Sequence, residues 1–131
     1  MLGDTDCFNF VLMDANGTVL ALTATKDDKY APKKTGVYDV NVQPLLRTWN
    51  AQKWRYDAKK KAFYSQQYHP NAVISEGANK NLFLYKYLGL NIQKFSFDQK
   101  TGIFRNLNSK RVATVGKTEI KRRTYAADIL D

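Results

Sequence analysis

At 131 residues, 44% of them hydrophobic and 25% charged, the chain has the size and composition of one soluble globular domain, which excludes a disordered segment. Its single cysteine, Cys7, excludes an internal disulfide framework, and nothing has zinc-ligand spacing. The acidic opening "MLGDTDCFNF" is no secretory signal, and no run approaches the roughly 20 apolar residues of a membrane-spanning helix, so an intracellular setting is the default expectation. The net charge of +9 points to polyanionic partners: nucleic acid, sulfated glycans, acidic membranes or acidic proteins.

From the N-terminus, "CFNFVLMD" (7–14) and "TVLALTA" (18–24) are apolar runs joined by Ala15-Asn16-Gly17, and Asn-Gly is a strong hairpin signal. The polar stretch "ATKDDKYAPKKTG" (24–36), broken by Pro32 and Gly36, predicts a long loop projecting into solvent. "GVYDVNV" (36–42) alternates, with Val37, Asp39 and Asn41 on one face and Tyr38, Val40 and Val42 on the other. "NLFLYKY" (81–87) and "QKFSF" (93–97) flank a turn at Gly89, and "GIFRNL" (102–107) precedes "RVATVG" (111–116) across Asn108-Ser109. Helical spacing is poor throughout. Only "KTEIKRRTYAADILD" (117–131) is expected to form a helical turn or two, so the fold class read from the sequence is all-β.

An internal echo organises these strands. "QKFSFDQKTGIFRN" (93–106) repeats "QKWRYDAKKKAFYS" (52–65) forty-one positions on, keeping Gln52/Gln93, Asp57/Asp98 and Phe63/Phe104 and exchanging Trp54 for Phe95. A fixed period indicates one structural unit used more than once. Aligning the echoes lays out three units within a single domain, at about 7–57, 58–98 and 99–131. They open on "FNFVL", "AFYSQ" and "GIFRN". Short strands recurring at this spacing must close on one another, since an open sheet leaves unpaired edges.

Gln52-Lys53-Trp54 and Gln93-Lys94-Phe95 resemble the Q-x-W repeats of ricin B-chain-type β-trefoils, and "FDQKTGIFRNLNSKRVATV" (97–115) resembles the unit that family repeats. Growth-factor and protease-inhibitor trefoils share the threefold plan without this signature. The resemblance implies a β-trefoil in which Gln52, Trp54, Gln93 and Phe95 are structural core. It also implies a lectin-like, non-enzymatic binding module. The chain departs from the family in two ways. A third Gln is predicted at 134, or "ADIL" (127–130) takes the place of "LNIQ" (90–93), so the last strand is missing from the third unit. The sugar-gripping Asp position falls at about Ala21 in the first unit, Ile74 or Ser75 in the second and Thr114 in the third, none of them acidic.

The candidate carbohydrate site therefore centres on the second unit. Tyr85 or Tyr87 offers a ring face, Asn91 an amide, and Ser75 or Glu76 a replacement for the acid; Trp49 and Asn50 are candidates in the first unit. The competing reading makes both tyrosines half-buried strand residues. Arg105, Lys110, Arg111, Lys117, Lys121, Arg122 and Arg123 are candidate anion-binding residues if they converge on one face. Asp57 and Asp98 recur beside turn residues and read as turn-makers. With His69 and Cys7 the only residues of their kinds, no nucleophilic arrangement is persuasive, and no metal or cofactor site is expected. The expected partners are a glycan or polyanionic surface. The alternative is a module that has lost sugar binding and joins a protein partner or a homo-oligomer through its basic face and incomplete C-terminal edge.

Overall fold

Asp14 closes the first turn: its Oδ1 accepts the Asn16 and Thr18 amides, each at 2.9 Å, and Gly17 takes φ +82°, which its lack of a Cβ permits. The turn joins β1 (Val11–Met13) to β2 (Val19–Thr25). The computed structural model describes residues 7–25, 38–68, 71–78, 80–121 and 124–130, with backbone alone for 116–121, 124–126 and 128–130. β2 pairs along its length with β3 (Tyr38–Pro44), so Ala24 and Thr25, expected to begin the long loop, belong to the strand. Residues 26–37, the rest of that loop, lie outside the described residues, as do His69 and Pro70.

The chain continues through β4 (Trp54–Asp57), β5 (Ala62–Ser65), β6 (Ala72–Glu76), β7 (Leu82–Lys86), β8 (Phe95–Asp98) and β9 (Ile103–Asn106). Short 3-10 helices, Asn50–Gln52 and Asn91–Gln93, precede β4 and β8. The C-terminal segment departs from expectation. In place of a helical turn it forms β10 (Val112–Lys121) and β11 (Thr124–Leu130), antiparallel from Val112↔Leu130 to Lys121↔Thr124. β11 also pairs with β3, at Tyr125↔Val42. Two pairing partners and the β-branched and aromatic residues Thr118, Ile120, Thr124, Tyr125 and Ile129 outweigh the local charge pattern. No helix of the described residues is long and apolar enough to cross a membrane.

Pairing is antiparallel throughout, in the order β4-β5-β6-β7-β3-β11-β10-β9-β8, with β2 added to β3 and β1 to β2. β3 has neighbours on both edges, and both of its faces are covered. Asp39 and Asn41, on the polar face of the alternation, are therefore buried at 4% and 3% exposure and bonded to each other at 2.8 Å.

The two echoed stretches make matching contacts. Asp57 Oδ1 accepts the Lys59 and Lys60 amides, as Asp98 Oδ1 accepts those of Lys100 and Thr101. Each turn ends in a left-handed residue, Lys61 at φ +58° and Gly102 at +74°. One phenylalanine from the opening strand of each unit meets the others in the core. The Phe10–Phe63, Phe63–Phe104 and Phe10–Phe104 centroids are 5.2, 5.0 and 4.7 Å apart. Trp54 and Phe95 are fully buried beside this trio. The third unit is placed differently from the expected alignment. Val112 pairs with Arg105 as Val73 pairs with Tyr64, so Leu130, opposite Val112, stands where Tyr85 stands opposite Val73. "ADIL" thus continues the strand equivalent to β7 and does not take the place of "LNIQ".

Candidate carbohydrate-binding surface

Gln52 and Gln93 decide which polar groups the first two units leave available. Gln52 Oε1 accepts the Leu46 amide at 2.8 Å, while its Nε2 donates to the Pro44 carbonyl at 3.0 Å and Thr23 Oγ1 at 3.2 Å. Gln93 repeats the set, accepting from Leu88 at 2.9 Å and donating to the Lys86 carbonyl at 2.9 Å and Ser75 Oγ at 3.4 Å. Thr23 and Ser75 each donate to the carbonyl two residues back. The shared contacts equate Thr23, not Ala21, with Ser75. Strand pairing equates both with Thr114. Ser75, expected to replace the acid, is instead fully buried beneath a glutamine amide. Thr114 is exposed.

Glu76 is also committed to the fold. At 8% exposure, it accepts from Ser109 Oγ at 2.6 Å and pairs with Arg111 Nη1 at 3.2 Å, fastening the β9–β10 turn to β6. The expected anion cluster is accordingly divided. Arg111 faces Glu76, and Arg105 Nη1 donates to the Lys110 carbonyl at 2.7 Å, while Lys110 itself is exposed. Lys117 and Lys121 lie on β10, and Arg122 and Arg123 fall outside the described residues. Trp49 is half-buried and Asn50 exposed, far in sequence from the second-unit candidates. Asn91 is exposed, and its carbonyl accepts from Asn106 Nδ2 at 3.4 Å.

Around the tyrosines the structure assembles more than the sequence shows. Tyr64 on β5 and Tyr85 on β7 both pair with Val73, and Tyr87 follows one residue beyond β7. The Tyr64 and Tyr87 centroids lie 6.2 Å apart. Lys60 places its Nζ 4.9 Å from the Tyr87 centroid and 5.9 Å from that of Tyr64. Arg55, cross-strand from Tyr64, sets its guanidinium 5.3 Å from the Tyr64 ring. Tyr64 is buried, Tyr87 half-buried and Lys60 exposed. Gly89, at φ +71°, turns the following loop beneath the Tyr87 hydroxyl, where an added Cβ comes within 3.5 Å of that oxygen. Tyr85 packs beside Phe83, 6.5 Å between centroids. Arg55, Lys60 and Tyr64 escaped sequence reasoning because the β4–β5 hairpin is brought beside β7 by pairing of both to β6.

No protein-family model and no curated protein matches the chain. Solved structures do. The Vibrio vulnificus hemolysin/cytolysin β-trefoil lectin with N-acetyl-D-lactosamine bound is 13% identical, covers 97% of this chain and 98% of its own, and has a TM-score of 0.63. A mosquitocidal holotoxin is 17% identical over 98% of this chain, with a TM-score of 0.67. GalNAc-T7, crystallised with UDP, GalNAc and Mn2+, is 12% identical over 96%, with a TM-score of 0.63. The chain spans only 16% of the holotoxin and 20% of GalNAc-T7. The fold is an all-β β-trefoil.

Proposed function

We propose that this is a non-enzymatic, lectin-like binding module that captures acidic carbohydrates on its second unit. The observation that carries the reading is the Lys60 ammonium held over two tyrosine rings with the Arg55 guanidinium alongside. A sugar carboxylate or sulfate pairs with these cations while the apolar C–H face of its ring lies against Tyr87. Exposed Asn91 supplies an amide from the adjoining loop. Acidic glycans suit the site better than neutral ones, because Ser75 and Glu76 are taken up by the fold and cannot serve a neutral sugar's hydroxyls. The net charge of +9 adds long-range attraction. The lactosamine-bound trefoil of similar fold supports a glycan over other polyanions.

A glycan array holding neutral, sialylated and sulfated ligands tests the proposal. Binding confined to the acidic ligands, weakened by salt and lost in Tyr87→Ala and Lys60→Ala proteins that remain folded, is expected. Silence across the array at low and moderate salt overturns it.

A further inference from the structure

The β4–β5 and β8–β9 hairpins are equivalent, yet their outer faces carry different chemistry. Arg55 stands opposite Tyr64 on the first, and at the matching places of the second Ser96 stands opposite Arg105. The Gln66 amide donates to the Lys53 carbonyl at 2.9 Å, as the Leu107 amide donates to that of Lys94 at 2.8 Å. Phe95 and Phe104 are buried in the core, so alternation turns Lys94 and Ser96, on either side of Phe95, and Arg105 outward. The turns on each side add further cations. The Lys61 carbonyl accepts the Phe95 amide at 2.8 Å, and the Lys110 carbonyl accepts Arg105 Nη1 at 2.7 Å. Lys61 and Lys110 are exposed, Lys94 and Arg105 half-buried. Lys61, Lys94, Arg105 and Lys110 thus follow one another from the β4–β5 turn across β8 and β9 to the β9–β10 turn.

We infer that this row binds a linear sulfated polysaccharide through its repeating charge, on a surface distinct from the tyrosine site of the second unit. The backbone shows that two of the cations are kept against local preference. Among the described residues, those other than glycine with a left-handed backbone are Lys61, Lys80 and Lys110, at φ +58°, +64° and +68°. A Cβ disfavours that conformation, and lysine lacks the short polar side chain with which Asn or Asp offsets the cost. Gly102 holds the place equivalent to Lys61 at φ +74°, so this turn accepts glycine. Lys61 and Lys110 stand in the row itself. Lys80 lies in the β6–β7 turn, and Glu76, at the start of that turn, is fastened to the β9–β10 turn. Backbone strain retained at exposed positions points to use of the side chains that stand there.

The acids of the adjoining turns do not cancel this charge. Asp57 and Asp98 direct Oδ1 to their own turn amides, and Glu76 is paired with Arg111. Neighbouring strands lie about 4.8 Å apart, so the cations recur at short intervals that a polymer charged on successive units can match. Arg105 holds the place of Tyr64, exchanging a ring face for a guanidinium whose remaining N–H groups can pair with a sulfate. Nucleic acid fits less well. Ser96 and Leu107, which share the outer face with the cations, offer no ring for base stacking, and the flat hairpin puts no element into a groove.

The probe is a fluorescent heparin oligosaccharide titrated against the protein by anisotropy. Saturable binding that falls steeply with salt is expected. Lys61→Gly and Lys110→Gly should each weaken it about three- to ten-fold, and Lys94→Gln by a similar factor. Both glycine variants should melt no lower than the unaltered protein, because glycine suits the left-handed backbone. Lys110→Gly should leave short acidic glycans bound at the Tyr87 site, which separates the two readings. An array silent for short acidic ligands beside a bound oligosaccharide would sink the tyrosine site alone. The inference is overturned by absence of saturation, by equal affinity for single-stranded DNA of matched charge, by glycine variants that bind as the unaltered protein does, or by weakened variants that also melt earlier.

Discussion

The β8–β9 seam and the seam between β9 and the first opening strand are built from equivalent parts, yet they treat one hydroxyl in opposite ways. Ser75 is fully buried and Thr114 is exposed, although strand pairing puts them at the same place in successive units. The difference lies in what arrives from outside the hairpin. Gln93 brings an amide to Ser75 and buries Phe95 beside it, and within the described residues nothing equivalent comes to Thr114. A polar group is buried only where a partner replaces its water, so the fate of this position is set by the closing strand and not by its own identity.

That contrast can be broken most forcefully at Trp54. It is fully buried, and its Nε1 donates to the Leu22 carbonyl at 3.1 Å. Trp54→Ala should cost about 3–5 kcal/mol in urea unfolding, with Phe95→Ala in the same range if the units are equivalent. Gln52→Leu and Gln93→Leu each leave a part-buried amide and a part-buried carbonyl without their side-chain partner, and each should cost about 1–2 kcal/mol. Closely matched values would sharpen the equivalence; an indifferent Gln93→Leu would break it. Thr23→Val should cost about 1 kcal/mol and Thr114→Val less than about 0.5 kcal/mol.

The smallest effect lies at high pH, at the Tyr38–Tyr68 stack, whose centroids are 4.2 Å apart. Burial, then the neighbouring Tyr38, raises the Tyr68 pKa above its ordinary 10.0. The folded protein keeps this proton where the unfolded chain has begun to lose it. Its contribution to stability is therefore complete below pH 10 and is lost as pH rises through the folded value. Tyr68→Phe should flatten the alkaline decline, as read from melting temperatures on either side of that window.

The barrel seams were legible in the sequence because Gln52, Trp54, Gln93 and Phe95 recur with their neighbours at a fixed period. The C-terminal hairpin was not, since Lys117 to Asp131 carries mixed local signals that only pairing with β3 resolves. Ser75 and Glu76 misled for another reason. Their residue types suit sugar binding, but whether a hydroxyl or carboxylate faces solvent depends on Gln93, Ser109 and Arg111, distant in sequence. The cluster of Lys60, Arg55, Tyr64 and Tyr87 is likewise non-local.

Nuclear Overhauser spectroscopy on protein with ring-labelled phenylalanines puts the threefold arrangement to its sharpest trial. Cross-peaks should join all three pairs among Phe10, Phe63 and Phe104, whose centroids lie 4.7–5.2 Å apart. Silence between Phe10 and either of the others would mean that the first opening strand does not share the axis.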